Sequence, residues 1–306
     1  MHNTTKAAPF FALLLLTCHA SPGASDILVC GSAQVLKGSV NRHQGNASFD
    51  VNWVWRPENS GGLPISLKSN FVGTDECKPV EGGTAILITS SANALALVSY
   101  PSGATLFYAG VRNAHSAALL PDDLIVAASS SAPDDTGDRL LLFDRHRPDR
   151  ALTSVPFVGA HGVEWDSSRN ILWALNDHEL AAFSIRHTSN QAVSLVQSKA
   201  FRLPARGGHD LVLAQDRSLL YVTTASAVFV FHPDQGTFSP FTPLQGIQDV
   251  KSLSINPETG QILYTQSDPG VWWTYQLRFL DPAANVTLGE HAYKARWFTA
   301  GRAIPK

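Results

Sequence analysis

One property of this chain limits its fold more than any other: it repeats itself. "HSAALLPDDLIVAASSSAPDDTGDRLLLFDRHRPD", "HGVEWDSSRNILWALNDHELAAFSI", "GHDLVLAQDRSLLYVTTASAVFVFHPD" and "VKSLSINPETGQILYTQSDPGVWWTYQLRFLDP" each alternate three apolar runs with turns. A fourth run follows each of them: "TSVPFVG", "SLVQSKAFRL", "TFSPFTPL" and "NVTLGE". The runs are rich in Val, Ile, Leu, Thr and aromatics, last 5 to 8 residues, and are broken by Gly, Pro, Asp and Asn. Short strands read this way, and helical patterns are nearly absent. Four antiparallel strands repeated at a little over forty residues are the signature of propeller blades.

Aligned starts of the units read "DECK", "AHSA", "AHGV", "GHDL", "VKSL" and "YKAR". Their second residues are Glu76, His115, His161, His209, Lys251 and Lys294, spaced by 39, 46, 48, 42 and 43. The last unit holds one strand, "YKARWFTAG"; its missing partners are "DILVCGSA", "QVLKGSV" and "VNWVWRP" near the N-terminus. Pairing them closes the ring and removes an open sheet edge. The fold expected is therefore an all-β, six-bladed β-propeller with four antiparallel strands per blade, its last blade closed by N-terminal strands. Turn residues Asp122, Asp166, Asp216 and Asn256, each five to seven residues past a ring position, agree with this reading. A β-sandwich would not predict so even a period. With no linker or low-complexity segment, residues 21–306 form a single domain.

The inner strand of each blade borders the central channel, so equivalent positions at the strand starts form a ring about the axis. Three histidines on consecutive blades, with Glu76 beside them, supply a ligand set of His115, His161, His209 and Glu76 for Zn²⁺, Mn²⁺ or another transition metal. Calcium would need more oxygen ligands than this ring has. Without a metal, His161 or His209 serves as general base, since imidazole titrates near neutrality. Lys251 and Lys294, with Arg296 two residues on from Lys294 and Lys78 two residues on from Glu76, would bind an anionic substrate. The bland reading of the same residues is a water-filled channel lined by a satisfied ion-pair network. Asp210 follows His209, and strict alternation would turn it to the opposite face.

Other features are weaker. Trp272 and Trp273 either stack on a sugar ring or fill space between blades. Trp53, Trp55, Trp165 and Trp173 read as core, and His146, His178, His187 and His232 as solvated. Ser129 to Ser131 lacks a nucleophile elbow, and no phosphate loop, G-x-G-x-x-G or C-x-x-C is present. A net charge of −2 without any basic cluster excludes nucleic acid as the expected partner.

Residues 1–20 read as a secretory signal peptide: Lys6 supplies the charge, "AAPFFALLLLTC" the apolar stretch and "CHA" the small residues before cleavage. No other segment is apolar enough to span a membrane, so a secreted, extracellular monomer is expected, with Asn46 and Asn285 as glycosylation sites. Cys30 and Cys77 would remain after cleavage, either as a disulfide or as two buried thiols.

The motifs "YPSG", "AHSAALLPDD", "AHGVEWD", "LWAL", "GGHDL", "VKS" and "YKARW" together resemble a family of secreted bacterial and fungal β-propellers, a domain of unknown function. That resemblance spans nearly the whole mature chain and implies a propeller in an extracellular setting. In architecture the chain is also similar to oligogalacturonate lyases, propellers whose channel histidines hold a divalent metal beside a catalytic base. Those enzymes have seven blades and a glutamine among the ligands, where this ring offers Glu76. The gluconolactonase type has six blades but binds calcium through acidic and amide residues. Together these readings point to a secreted carbohydrate-active lyase on a uronate-containing glycan, with a non-catalytic propeller binding an anionic sugar or a partner protein as the alternative.

Overall fold

A computed structural model describes residues 26–43, 46–134, 136–187 and 192–299, so the expected signal peptide lies outside the described residues. Six four-stranded antiparallel sheets are arranged in sequence around a central axis. From the inner strand outward, blade 1 comprises Thr74–Val80, Ala85–Ser90, Ala94–Ser99 and Thr105–Ala109, and blade 2 Ala114–Leu120, Leu124–Ser129, Arg139–Asp144 and Ala151–Pro156. Blade 3 comprises Gly162–Asp166, Ile171–Leu175, Glu179–His187 and Val193–Arg202, and blade 4 Asp210–Leu213, Leu220–Thr223, Val228–His232 and Thr237–Pro240. Blade 5 comprises Val250–Ile255, Ile262–Gln266, Thr274–Leu280 and Ala284–Ala292.

Blade 6 takes its inner strand, Lys294–Phe298, from the C-terminal side and its other three, Asp26–Cys30, Val35–His43 and Asn46–Trp55, from the N-terminal side. Asp26 pairs with Phe298 and Cys30 with Lys294, which is the ring closure expected from the repeat. A disulfide reinforces the seam: Cys30 of blade 6 joins Cys77 on the inner strand of blade 1, with Cα atoms 5.9 Å apart. Of the two states open to these cysteines, the bridge is the one realised.

Alternation puts apolar side chains on both faces of each sheet, and neighbouring blades bury them against one another. Ala118, Val126, Val163 and Leu172 fill the seam between blades 2 and 3; Trp173, Leu211, Val222 and Phe231 fill that between blades 3 and 4. Trp55 packs on Phe71, with rings 5.2 Å apart, in the seam between blades 6 and 1. Trp55 and Trp173 are core as expected, while Trp53 and Trp165 are only partly buried at its edge. The turn residues work by local hydrogen bonding: Asp166, Asp216 and Asn256 each accept the N–H two residues on, and Asp122 adopts a left-handed φ of 60°.

Candidate functional site

At one end of the channel, which we call the mouth, all six inner strands begin with the same irregularity. In blades 1, 2 and 5 the pairing skips a residue between Thr74 and Glu76, Ala114 and Ser116, and Val250 and Ser252. In blades 3, 4 and 6 the N–H of His161, His209 and Tyr293 bonds the carbonyl of Leu175, Thr223 and Cys30, each of which already pairs with the following residue. Two residues thus oppose one, the arrangement of a β-bulge, which interrupts alternation and re-aims side chains. The extra residues are Asp75, His115, His161, His209, Lys251 and Tyr293, one per blade.

These six line a cavity of about 310 Å³, joined by Ser91, Asn113 and Trp272 from loops at the same end. Of the six expected ring positions, His115, His161, His209 and Lys251 line this cavity. On blades 1 and 6 the mouth position falls one residue earlier, at Asp75 and Tyr293. Sequence reasoning did not single out these two; the signal available was a pair of consecutive polar or aromatic residues at a strand start, as in "DE" and "YK".

The bulge also sends the next residue toward the axis, which places Asp210 where strict alternation did not. Glu76, Asp210, Lys294 and Arg296 form a plug beneath the cavity, all 5% exposed or less. Arg296 holds Glu76 through Nε (3.0 Å) and Nη2 (2.9 Å), and Asp210 through Nη1 (2.7 Å) and Nη2 (2.6 Å). Lys294 Nζ lies 3.3 Å from Glu76 and 3.1 Å from Asp210. Burial alone would raise both carboxyls, but Arg296 and Lys294 hold them below the usual carboxylate range. Lys78 is engaged across the axis by Glu164 and the Val163 carbonyl, each 2.9 Å away. Of the expected substrate-binding residues, only Lys251 lines the cavity; Lys294 and Arg296, like Glu76, are committed to buried ion pairs, and Lys78 to a partly buried one. The bland reading holds for that lower layer.

In the mouth the three histidines are differently bound. His115 and His161 stack, with rings 4.3 Å apart and 13° from parallel, and His209 meets His161 edge-on at 5.5 Å. His161 Nδ1 lies 3.0 Å from the Gly159 carbonyl, an acceptor only, so Nδ1 carries the hydrogen and Nε2 the lone pair. His209 Nε2 lies 3.0 Å from the Lys251 ammonium, a donor only, so this lone pair is occupied. Burial, then the neighbouring His115, puts the pKa of His161 well below 6.5; burial, then Lys251, brings His209 down to about 3. Burial likewise lowers Lys251, against the pull of Asp249 at 3.6 Å. His115 Nδ1 faces Asp75 Oδ1 at 3.2 Å, and Asp75 is fixed by the N–H of Ser91. Tyr293 is buried, its pKa pushed well above 10 by desolvation and then by Asp75.

Trp272, 46% exposed, stands edge-on to Tyr293 with centroids 5.4 Å apart and forms the cavity rim. Trp273 instead packs against Tyr275 and His291. The donor set suits a divalent cation poorly: two imidazole nitrogens are already bonded, two rings stack face to face, and an ammonium occupies the cavity. Among the described residues no group of three or more His, Cys, Asp or Glu is placed to hold a metal ion.

Comparison with solved structures finds a candidate 6-phosphogluconolactonase from Bacteroides uniformis, with a TM-score of 0.53 and 12% identity over 89% of this chain and 83% of that one. At that identity the likeness concerns the propeller fold alone. No curated protein matches. The model of the family of unknown function DUF6528 matches residues 32–302, and the chain belongs to that family.

Proposed function

We propose that the protein is an extracellular carbohydrate-active lyase that cleaves a uronate-containing glycan in the mouth cavity without a metal. The observation that carries this reading is the pairing of an uncommitted imidazole nitrogen, His161 Nε2, with the Lys251 ammonium in one cavity rimmed by Trp272. β-Elimination needs three things: neutralisation of a carboxylate, a base for the proton beside it, and an acid for the leaving oxygen. Lys251 meets the carboxylate, which makes the adjacent C–H more acidic. His161 Nε2 takes that proton, the electron pair forms the C=C bond, and the glycosidic C–O bond breaks. Tyr293, kept protonated by its raised pKa, gives its hydrogen to the departing oxygen. His209 positions Lys251 by accepting its hydrogen bond. Trp272 offers the flat apolar face on which a sugar ring stacks. The Cys30–Cys77 bridge supports an oxidising, extracellular setting.

The test is to follow the absorbance of unsaturated uronate products on pectic and glucuronate-bearing glycans, with and without chelator. Chelator-resistant product formation that falls by about 100-fold or more in His161→Ala is expected for a lost general base. Saturable binding without product would replace the lyase with a glycan-binding propeller.

A further inference from the structure

A second cavity opens on the mouth face, in the crossover from blade 3 to blade 4. It has a volume of about 440 Å³ and is lined by His178, Glu179, Arg202, Arg206 and the segment 203–205. The crossover, residues 203–209, is held from both sides. Leu203 N–H donates to the His178 carbonyl at 2.8 Å, Gly207 N–H to Asp177 at 2.9 Å, and Ala225 N–H of blade 4 to the Arg206 carbonyl at 3.2 Å. Two glycines permit this close seat. Gly207 takes φ +77°, and a Cβ on Gly208 would lie 2.4 Å from the Asn176 carbonyl oxygen. The glycines of "GGHDL" thus serve to press the crossover onto blade 3 and deliver His209 to the mouth.

Arg145, Arg169 and Arg296 are each fixed by carboxylates. Arg202 and Arg206 are exposed, and neither guanidinium engages a carboxylate among the described residues. Their two positive charges outweigh the single carboxylate of Glu179, and their backbone is fixed while their side chains face solvent. A guanidinium fork matches a carboxylate in two hydrogen bonds, and a carboxylate such as Glu179 accepts from a hydroxyl. A sugar acid carries both groups. Arg206 is also three residues from His209, so their Cα atoms are within about 11 Å.

We propose that the Arg202–Arg206 cavity is an outer subsite for a second acidic sugar of the chain whose first occupies the mouth. The ligand class is thus an oligomeric polyuronate rather than a single sugar acid. This rests on the mouth cavity being a uronate site.

The test is calorimetric titration with uronate di- and hexasaccharides of the protein, its Arg202→Ala/Arg206→Ala double variant and Lys251→Ala, all carrying His161→Ala so that nothing turns over; the first of these is called wild type below. Wild type should bind the hexasaccharide more tightly than the disaccharide. The double variant, altered only on the surface, should lose roughly 10-fold or more on the hexasaccharide, the worth of a charged hydrogen bond, and nothing on the disaccharide. If the disaccharide binds and Lys251→Ala weakens it while oligomer length makes no difference, the outer subsite is overturned and the mouth reading stands. If the wild type binds neither, both fall. Retention of hexasaccharide affinity in the double variant would likewise overturn the outer subsite.

Discussion

His161 and His209 occupy equivalent places on adjoining blades, yet their partners give them different work. One bonds a carbonyl and keeps a lone pair; the other spends its lone pair on a lysine. Because burial holds His161 well below 6.5, it remains a base in mildly acidic solution. The acid limb of kcat/KM should therefore fall below pH 6.5. The alkaline limb should fall below 10.5, as Lys251 gives up its proton early. A pH–rate profile checks both, and Lys251→Arg should move the alkaline limb upward, since guanidinium does not titrate in this range. In the plug, removing one charge strands the others. Asp210→Asn should cost about 3–5 kcal/mol in denaturant unfolding, the cost of breaking a buried pair. Glu76 and Asp210 are depressed in the folded protein, so the stability they supply is present above their unfolded values of 4.5 and 3.8. It is lost as pH falls below these toward the folded values. Unfolding midpoints measured between about pH 6 and pH 3 should drop more steeply for the wild type than for Asp210→Asn.

The element that organises the site is the bulge at the start of every inner strand. It explains why Asp75 and Glu76, His209 and Asp210, and Tyr293 and Lys294 all reach the axis as neighbours, the first of each pair into the cavity and the second into the plug. A period of two forbids that, so the sequence pattern alone assigned Glu76 and Lys294 to the mouth and turned Asp210 away. The histidines were legible because three blades start alike; the bulge was not, because it is a matter of pairing rather than of residue type. The seam between blades 6 and 1 is the other element with a measurable consequence. Its disulfide closes 47 residues of chain, which by loop entropy is worth about 4 kcal/mol. Cys30→Ser/Cys77→Ser should lower unfolding stability by that order while leaving the far-ultraviolet circular dichroism unchanged at room temperature.

At the scale of the whole molecule, the repeat was enough to fix blade number, strand count and the closing pair, because blades bury each other and must match in length. What the repeat could not convey is the depth of the channel. Polar residues at the strand starts separate into an upper layer with free chemistry and a lower layer whose charges cancel within it. Only the folded arrangement divides Lys251, beside a histidine, from Lys294, enclosed by two carboxylates. With the buried Glu76, Asp210, Lys294 and Arg296 beneath the mouth, ligand would enter and leave on the mouth face, across Trp272 and the crossover into blade 4. The most direct test is a crystal structure of His161→Ala with an oligouronate. The expected result is a carboxylate within hydrogen-bond distance of Lys251 Nζ, with its sugar ring against Trp272. An oligouronate seated on the opposite face, or one leaving the mouth residues untouched, would contradict it.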